Sequence, residues 1–221
     1  MNRKLSEMYS RVLHDIWPDL AAVGDLRGPL LIDVPNAYLE ATVKLMIVGQ
    51  QTNGWGHPED GIEGLFAQYR GFDLGKTSVR SPFWQAAHEV YESLNPAGPP
   101  RGFLWSNLIK VEVAQERPPR AIEELISSTN LLQNELSITQ PNVVVFFTGP
   151  CYDERLRATF AGVEYERVND SIDRLIHDEL PEQTFRSYHP NYLRRSGKWS
   201  VIEELKTLVS VKPPPPTPPT P

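Results

Sequence analysis

The chain has 221 residues, of which 40% are hydrophobic, and its formal net charge at pH 7 is -6. This length and apolar content predict one sizeable core in a single domain over residues 1–211. One cysteine, Cys151, excludes an internal disulfide framework and any cluster or zinc site that needs several thiolates from the chain. We expect no metal and no other cofactor.

The N-terminal residues contain no apolar signal segment, and no apolar run approaches the roughly 20 residues that span a membrane. Together with the single cysteine, this predicts a cytoplasmic protein without a membrane partner, and we expect it to be a monomer. Residues 212–221 are rich in proline, which favours an extended, disordered tail. Recognition of this tail by a proline-binding domain is an alternative.

Apolar patterns along the chain predict alternating helices and strands. An amphipathic helix at 5–23, broken near Pro18, precedes a strand at 44–48, a helix at 82–94 capped by Ser81, and a weaker strand at 103–111. A helix at 121–138, a strand at 143–147, a weaker strand at 184–188 and a helix at 198–209 follow. This alternation predicts an α/β fold, a three-layer α/β/α sandwich around a central, mainly parallel four-stranded sheet.

The first polar motif, Gly49-Gln50-Gln51-Thr52-Asn53-Gly54-Trp55, directly follows the first predicted strand. Polar residues at the carboxyl ends of parallel strands are where such sheets build sites. The motif lacks the glycine spacing of a dinucleotide site and the lysine of a phosphate loop, so it gives little support to nucleotide binding. Taken alone, it is also explained by a glycine-rich turn whose side chains satisfy only the loop backbone.

Two further polar groups follow later predicted strands. His189, fixed before Pro190, can present a ring nitrogen to a substrate, and the aromatic, apolar and cationic residues 192–195 are typical of a loop that grips nucleic acid. Asn107 offers one donor and one acceptor with which to read a base edge. By itself, each residue is equally compatible with an ordinary loop position.

The net negative charge of the chain disfavours a nucleic-acid partner, but the distribution of its charges partly offsets this. A local basic group surrounds the histidine segment and is formed by Arg186, Arg194, Arg195 and Lys198. One such patch is sufficient to dock DNA.

In chain order, the Gly49 motif, Asn107 and the His189 segment together resemble the uracil-DNA glycosylase superfamily over residues 44–195. In that family a Gly-Gln-Asp-Pro-Tyr or related loop positions the attacking water, and Gly49-Gln50-Gln51-Thr52-Asn53 matches it. The strand-end asparagine that reads the base is similar to Asn107 within 106–110. The His-Pro-Ser loop, whose leucine fills the gap left by the flipped base, is similar to His189-Pro190-Asn191-Tyr192-Leu193.

The chain departs from this pattern at Gln51 and Asn53. Gln51 replaces the aspartate of the most active members and cannot act as a base, so water would be held by a carboxamide or activated by a carboxylate from elsewhere. The nearby acidic candidates are Glu59, Asp60, Glu63 and Asp153, among which Asp60 is our expected catalytic residue. Asn53 replaces the tyrosine that excludes thymine, which predicts access for larger polar groups at carbon 5.

The resemblance implies a monofunctional DNA glycosylase that flips a non-standard pyrimidine into a pocket and hydrolyses its N-glycosidic bond. No lysine stands in the nucleophile position, so lyase chemistry is not expected. The implied catalytic residues are Gln51, His189 and Asp60; the base-binding residues are Gln50, Asn53, Trp55, Phe66 and Asn107; the DNA-binding residues are Tyr192, Leu193, Arg194, Arg195 and Lys198.

Uracil is the substrate that the family implies, and the changes at Gln51 and Asn53 make a bulkier base, such as glucosylated hydroxymethylcytosine of phage DNA, an alternative. The expected partner is double- or single-stranded DNA that carries such a base, in repair or in antiviral defence. Two other functions stay open. One is a binding module that recognises modified or damaged DNA without cutting it, and the other, disfavoured by the loop at 192–198, is a hydrolase of free nucleotides or sugars.

Overall fold

The computed structural model describes residues 1–78 and 80–210. In chain order the elements are α1 (Asn2–Leu13), α2 (Trp17–Ala21), β1 (Leu26–Arg27), α3 (Asn36–Glu40), β2 (Leu45–Gln51), α4 (Gly61–Phe72), α5 (Pro82–Leu94), β3 (Leu104–Ile109), β4 (Glu112–Val113), α6 (Arg120–Ser127), α7 (Leu131–Thr139), β5 (Val143–Phe146), α8 (Asp153–Thr159), β6 (Glu164–Arg167), β7 (Ile172–Ile176), β8 (Gln183–Ser187), α9 (Pro190–Arg195) and α10 (Ser200–Ser210). The predicted proline-rich tail, residues 212–221, lies outside the described residues.

Within the described residues, the central sheet has six strands in the order β3-β2-β5-β8-β7-β6. β3, β2, β5 and β8 are parallel, whereas β7 and β6 are antiparallel to their neighbours. The predicted α/β class and mainly parallel sheet are confirmed, and the four predicted strands are the parallel ones. The predicted number of strands was too low by two. β6 (Glu-Tyr-Glu-Arg) and β7 (Ile-Asp-Arg-Leu-Ile) contain charged residues and lack the continuous apolar run that indicates a strand.

β2 and β5 lie inside the sheet, and this position explains their composition. All four residues of β5, and the first five of β2, are buried, so both faces are covered. Strands that are covered on both faces have continuous apolar sequences instead of alternating ones. Two groups of helices flank the sheet: α1 contacts α4 and α7, and α5 contacts α9 and α10.

β2 is longer than the sequence predicted. Gly49, Gln50 and Gln51 belong to the strand, not to the loop that follows it. Gly49 is the register partner of Asn107 on β3. The Gly49 motif and Asn107 therefore lie side by side on the neighbouring strands β2 and β3.

Two predicted helices are each divided into a pair. The break between α1 and α2 comes at 14–16, and Pro18 lies in the first turn of α2, where a proline costs no backbone hydrogen bond. The predicted helix at 121–138 is interrupted at Asn130, which adopts a left-handed conformation with φ of 51°. The helix predicted at 82–94 is confirmed, with Ser81 at the N-cap position, although its side chain makes no capping hydrogen bond.

Among the described residues, no helix combines the length and the apolar character needed to cross a membrane.

Candidate functional site

The carboxyl ends of the parallel strands open into a cleft of about 1020 Å³. This is the position at which open α/β sheets bind ligands. Its walls include Gln50, Gln51, Asn53, Trp55, Phe83, Asn107, Tyr152, His189, Tyr192 and Arg195. The three polar motifs of the sequence therefore meet in one place.

Asn107 is buried beside the end of β2, with 2% of its surface exposed. Its Oδ1 accepts a hydrogen bond from Trp105 Nε1 at 3.2 Å, while Nδ2 has no partner among the described residues. A side chain at residue 49 would collide with Asn107 Oδ1, so Gly49 is the residue that leaves the asparagine its space. A buried N–H without a partner is costly, and Asn107 Nδ2 is thus a donor available to a ligand.

His189 is the N-cap residue of α9 and lies face to face with Phe83, at 5.5 Å between ring centroids and 25° between planes. Burial, with a smaller contribution from Arg195, lowers the pKa of His189 to about 4. Its Nδ1 accepts a hydrogen bond from the backbone N–H of Asn191 at 3.2 Å. The imidazole is therefore neutral at pH 7, and the hydrogen-bond network assigns its proton to Nε2.

The two glutamines at the end of β2 are anchored through opposite ends of their side-chain amides, Gln50 through its nitrogen and Gln51 through its oxygen. Gln50 donates through Nε2 to the carbonyl oxygen of Thr148 at 2.7 Å, and its Oε1 has no hydrogen-bond partner among the described residues. Gln51 accepts through Oε1 from the Tyr152 hydroxyl at 3.0 Å, and its Nε2 likewise bonds to no described residue. The end of this strand thus offers one acceptor and one donor.

The turn after Asn53 is tied to a buried carboxylate. The backbone N–H of Gly54, whose φ is +66°, donates to Glu112 Oε1 at 2.6 Å. Glu112 is completely buried, and its Oε2 has no partner among the described residues. Glu112 was not predicted as a site residue, because it follows a weakly predicted strand and belongs to none of the motifs.

The aromatic residues differ in how closely they approach the cleft. Trp55 contributes to the wall, but only 6% of it is exposed and its ring packs edge-on against Trp105 at 5.2 Å. Phe66 lies outside the cleft and packs against Tyr9 in the core. The prediction that Phe66 stacks on a base is therefore wrong, because on α4 this residue turns away from the strand ends. Phe83, absent from the predicted set, occupies the wall instead.

The predicted carboxylates do not reach the cleft, and among the described residues that line it none is acidic. Asp60 Oδ2 accepts from the backbone N–H of His57 at 2.8 Å, and it ends a short 3-10 turn. Asp153 forms an ion pair with Arg186 at 3.0 Å. Glu59 and Glu63 also lie outside the cleft. The expectation that Asp60 activates water is therefore wrong, because Asp60 does not line the cleft.

The loop after His189 presents a tyrosine and buries the leucine. Leu193 has no exposed surface, which contradicts its predicted role in filling the gap left by a flipped base. Tyr192 is 41% exposed and stacks on Tyr188 at 4.8 Å between ring centroids. Because residues 190–195 form a helix and not an extended loop, successive side chains point in different directions.

The predicted basic group is smaller than the sequence indicated. Arg195 lines the cleft, and Lys198 is exposed nearby in sequence. The Arg194 guanidinium lies 3.9 Å from the Trp199 ring centroid and donates to Gln85, so it is partly engaged within the chain. Arg186 is 8% exposed and pairs with two aspartates, which removes it from the predicted patch.

Of the missed residues, Tyr152 has the same kind of position as those that were found, and Phe83 does not. Tyr152 comes shortly after β5, as His189 follows β8, and the Gly149-Pro150 turn before it is a strand-end signal in the sequence. Phe83 is the second residue of α5, directly after the recognised Pro82.

No protein-family model matches this chain, and comparison with the curated proteins likewise finds no match.

Proposed function

We propose that this protein is a monofunctional DNA glycosylase that flips a non-standard pyrimidine into the cleft and hydrolyses its N-glycosidic bond. The observation that carries the proposal is the convergence of Gln51, Asn107 and His189 on one cleft at the strand ends. Each of them comes from a different segment of the chain, and each keeps a free polar group for a ligand.

The acid–base state of His189 suits this reaction. Cleavage leaves negative charge on the departing base, and a neutral imidazole with its proton on Nε2 can donate a hydrogen bond to that charge. Asn107 Nδ2 supplies a second donor, toward an acceptor on the base edge. Both donors are held before substrate arrives, since Phe83 stacks on His189 and Trp105 bonds to Asn107.

Water in this proposal is held by amide groups instead of being activated by a carboxylate. Gln50 and Gln51 present one acceptor and one donor at the end of β2. An amide cannot remove a proton at neutral pH, so catalysis rests on orientation and on stabilisation of the leaving base.

DNA contacts in this proposal come from Tyr192, Arg195 and Lys198. Tyr192 replaces Leu193 as the side chain that fills the gap in the duplex, because it is exposed at the rim of the cleft. Aromatic residues stack well on unpaired bases. The two cations contact phosphates and give binding its dependence on salt.

The size of the cleft supports a substrate larger than uracil. Ligand sites range over about 300–1,000 Å³, and the volume of this cleft, about 1020 Å³, lies just above that range. Asn53 lines this space with a short polar side chain. We propose a 5-substituted pyrimidine such as glucosylated hydroxymethylcytosine, with uracil as the minimal substrate, and antiviral defence or repair as the setting.

The test is incubation of the protein with DNA that carries uracil, 5-hydroxymethylcytosine or its glucosylated form, in duplex and single strands, followed by measurement of abasic sites. We expect abasic sites on at least one substrate, with no strand cleavage before alkali treatment. Normal DNA binding without abasic sites on any substrate would contradict the enzymatic proposal.

The alternative is a module that binds modified or damaged DNA without cutting it, which the lack of acidic side chains among the described cleft residues favours. His189→Ala separates the two functions. If the protein is an enzyme, kcat falls about 10²–10³-fold and DNA affinity stays within about twofold, since one leaving-group donor is lost. His14→Ala, at an exposed histidine outside the cleft, is the matched control and leaves both unchanged. If the wild type shows no turnover and His189→Ala loses DNA affinity, the protein is the binding module.

A further inference from the structure

We propose that Tyr152 is a positioning residue that fixes the Gln51 side-chain amide with Nε2, not Oε1, as the group available in the cleft. Its effect on catalysis rests on the proposed glycosylase function, whereas the orientation of the amide does not. Tyr152 belongs to none of the sequence motifs.

The contact joins two distant parts of the chain. Gln51 is the last residue of β2 and Tyr152 ends the short turn after β5, and their side chains meet at 3.0 Å although they are 101 residues apart. Both residues line the cleft. Gln51 Nε2 makes no hydrogen bond to any described residue, so the amide is anchored at its oxygen and free at its nitrogen.

The surroundings of Tyr152 favour donation by its hydroxyl. The guanidinium of Arg117 lies 5.5 Å from the centroid of the Tyr152 ring. A cation over the ring draws electrons from it, which makes the hydroxyl a better donor and a poorer acceptor. Burial raises the pKa of Tyr152 and Arg117 opposes this, so the hydroxyl keeps its proton at neutral pH.

Arg117 is itself held in place by a buried carboxylate. Glu123 is 3% exposed, and Arg117 Nη2 donates to its Oε2 at 3.0 Å. Arg155 pairs with the same carboxylate. The chain of contacts from Glu123 through Arg117 and Tyr152 therefore ends on the Gln51 amide.

This arrangement defines what Gln51 can do. Its Nε2 donates to the oxygen of a water molecule or to an oxygen of the substrate, and it cannot accept a proton from either. Gln50 presents the complementary acceptor, because its own Nε2 is committed to Thr148. A water or substrate oxygen bound to Gln51 Nε2 has a defined position, and loss of the Tyr152 hydroxyl leaves the Gln51 amide free to rotate.

The test uses Tyr152→Phe in the full-length protein, which removes only the hydroxyl. On the modified-base DNA that the wild type cleaves fastest, we expect kcat to fall about tenfold while KM stays within about twofold, since the substrate still binds but the water is less well oriented. Tyr165→Phe is the matched control, because its hydroxyl is buried without a partner among the described residues and it lies outside the cleft. Equal kcat values in the wild type and Tyr152→Phe would overturn the proposal.

A second measurement does not depend on activity. The Gln51 side-chain amide resonances, assigned by their loss in Gln51→Leu, should show the restricted motion of an ordered group in the wild type and in Tyr165→Phe. In Tyr152→Phe they should show the rapid motion of an unanchored glutamine. Identical Gln51 mobility in all three proteins would refute the positioning role. If the wild type releases no base, the glycosylase function fails, and the resonances alone decide the role of Tyr152.

Discussion

The pKa of His189, lowered to about 4 by burial and by Arg195, has a consequence for how activity depends on pH. An ordinary histidine becomes protonated near pH 6.5 and would lose its role as a neutral donor there. We expect kcat to stay within about twofold between about pH 5.5 and 8, measured as abasic-site formation under single-turnover conditions. An inflection near pH 6.5 that disappears in His189→Gln would contradict this.

The same residue contributes to acid sensitivity of the fold. Because the pKa of His189 is lower in the folded protein than in the unfolded chain, its stabilising contribution is complete above about pH 6.5 and is lost as the pH falls toward 4. The difference in unfolding free energy between the wild type and His189→Gln should fall by about 3 kcal/mol between about pH 7 and 4. Urea denaturation at each pH measures it.

At single positions, the sequence predicted which strand ends carry the cleft residues but not which side chains face it. Gln51 was found because it follows a clear apolar run, whereas Asn107 and His189 follow weaker strand patterns and were found through the motifs that contain them. The errors at Phe66 and Leu193 have one physical cause: both residues lie on helices, where a shift of one position turns a side chain from the cleft into the core.

At the level of elements, the hairpin of β6 and β7 is fastened to β8 by a buried arginine. Arg186 Nη2 lies 2.6 Å from Asp173 Oδ2 and 3.0 Å from Asp153 Oδ2. Burial raises the pKa of Asp153, and Arg186 opposes that rise. The sequence analysis assigned Arg186 to a DNA-binding patch, since a one-dimensional pattern does not distinguish a buried cation from an exposed one.

Replacement of this arginine should destabilise the protein markedly. In Arg186→Met the two carboxylates lose their cation, and we expect a loss of about 3–5 kcal/mol in the free energy of unfolding at pH 7.5, measured by urea denaturation. The loss should shrink toward about pH 4.5, because without Arg186, which opposes the rise, the pKa of Asp153 is higher still in the variant and protonation relieves the unpaired charge there. Arg174→Met is the control on the same hairpin, since its pair with Glu166 is longer, at 3.7 Å, and exposed. Similar losses in both variants would refute a specific role of Arg186.

Across the whole molecule, the layers are joined by a buried polar network that no sequence pattern revealed. Glu135 on α7 is completely buried, accepts from Tyr9 of α1 at 2.7 Å and from Ser106 of β3 at 2.8 Å, and pairs with Lys110. The Tyr9 hydroxyl also accepts from the backbone N–H of Ile32 at 3.1 Å. Periodicity predicts which faces are apolar, but it does not predict which polar groups will be paired inside, because partners distant in sequence must meet in three dimensions.

The charges in this network predict how the fold responds to loss of one partner. Tyr9 and Ser106 donate to different oxygens of Glu135, so Glu135→Gln keeps an acceptor for only one of them. It also leaves the Lys110 ammonium buried without a counter-charge, so the free energy of unfolding should fall by about 3–5 kcal/mol at pH 7. Burial lowers the pKa of Lys110, against the opposing effect of Glu135, and a lysine with a lowered folded pKa stabilises the fold increasingly as pH rises. The defect of Glu135→Gln should therefore shrink between about pH 7 and 10, and the double variant Lys110→Met with Glu135→Gln should recover most of the loss at pH 7.

Glu7→Gln, in the exposed pair with Arg3, is the control and should leave stability unchanged. A defect in Glu135→Gln that is independent of pH and is not relieved by Lys110→Met would show that hydrogen bonding, not charge, joins α1, α7 and β3.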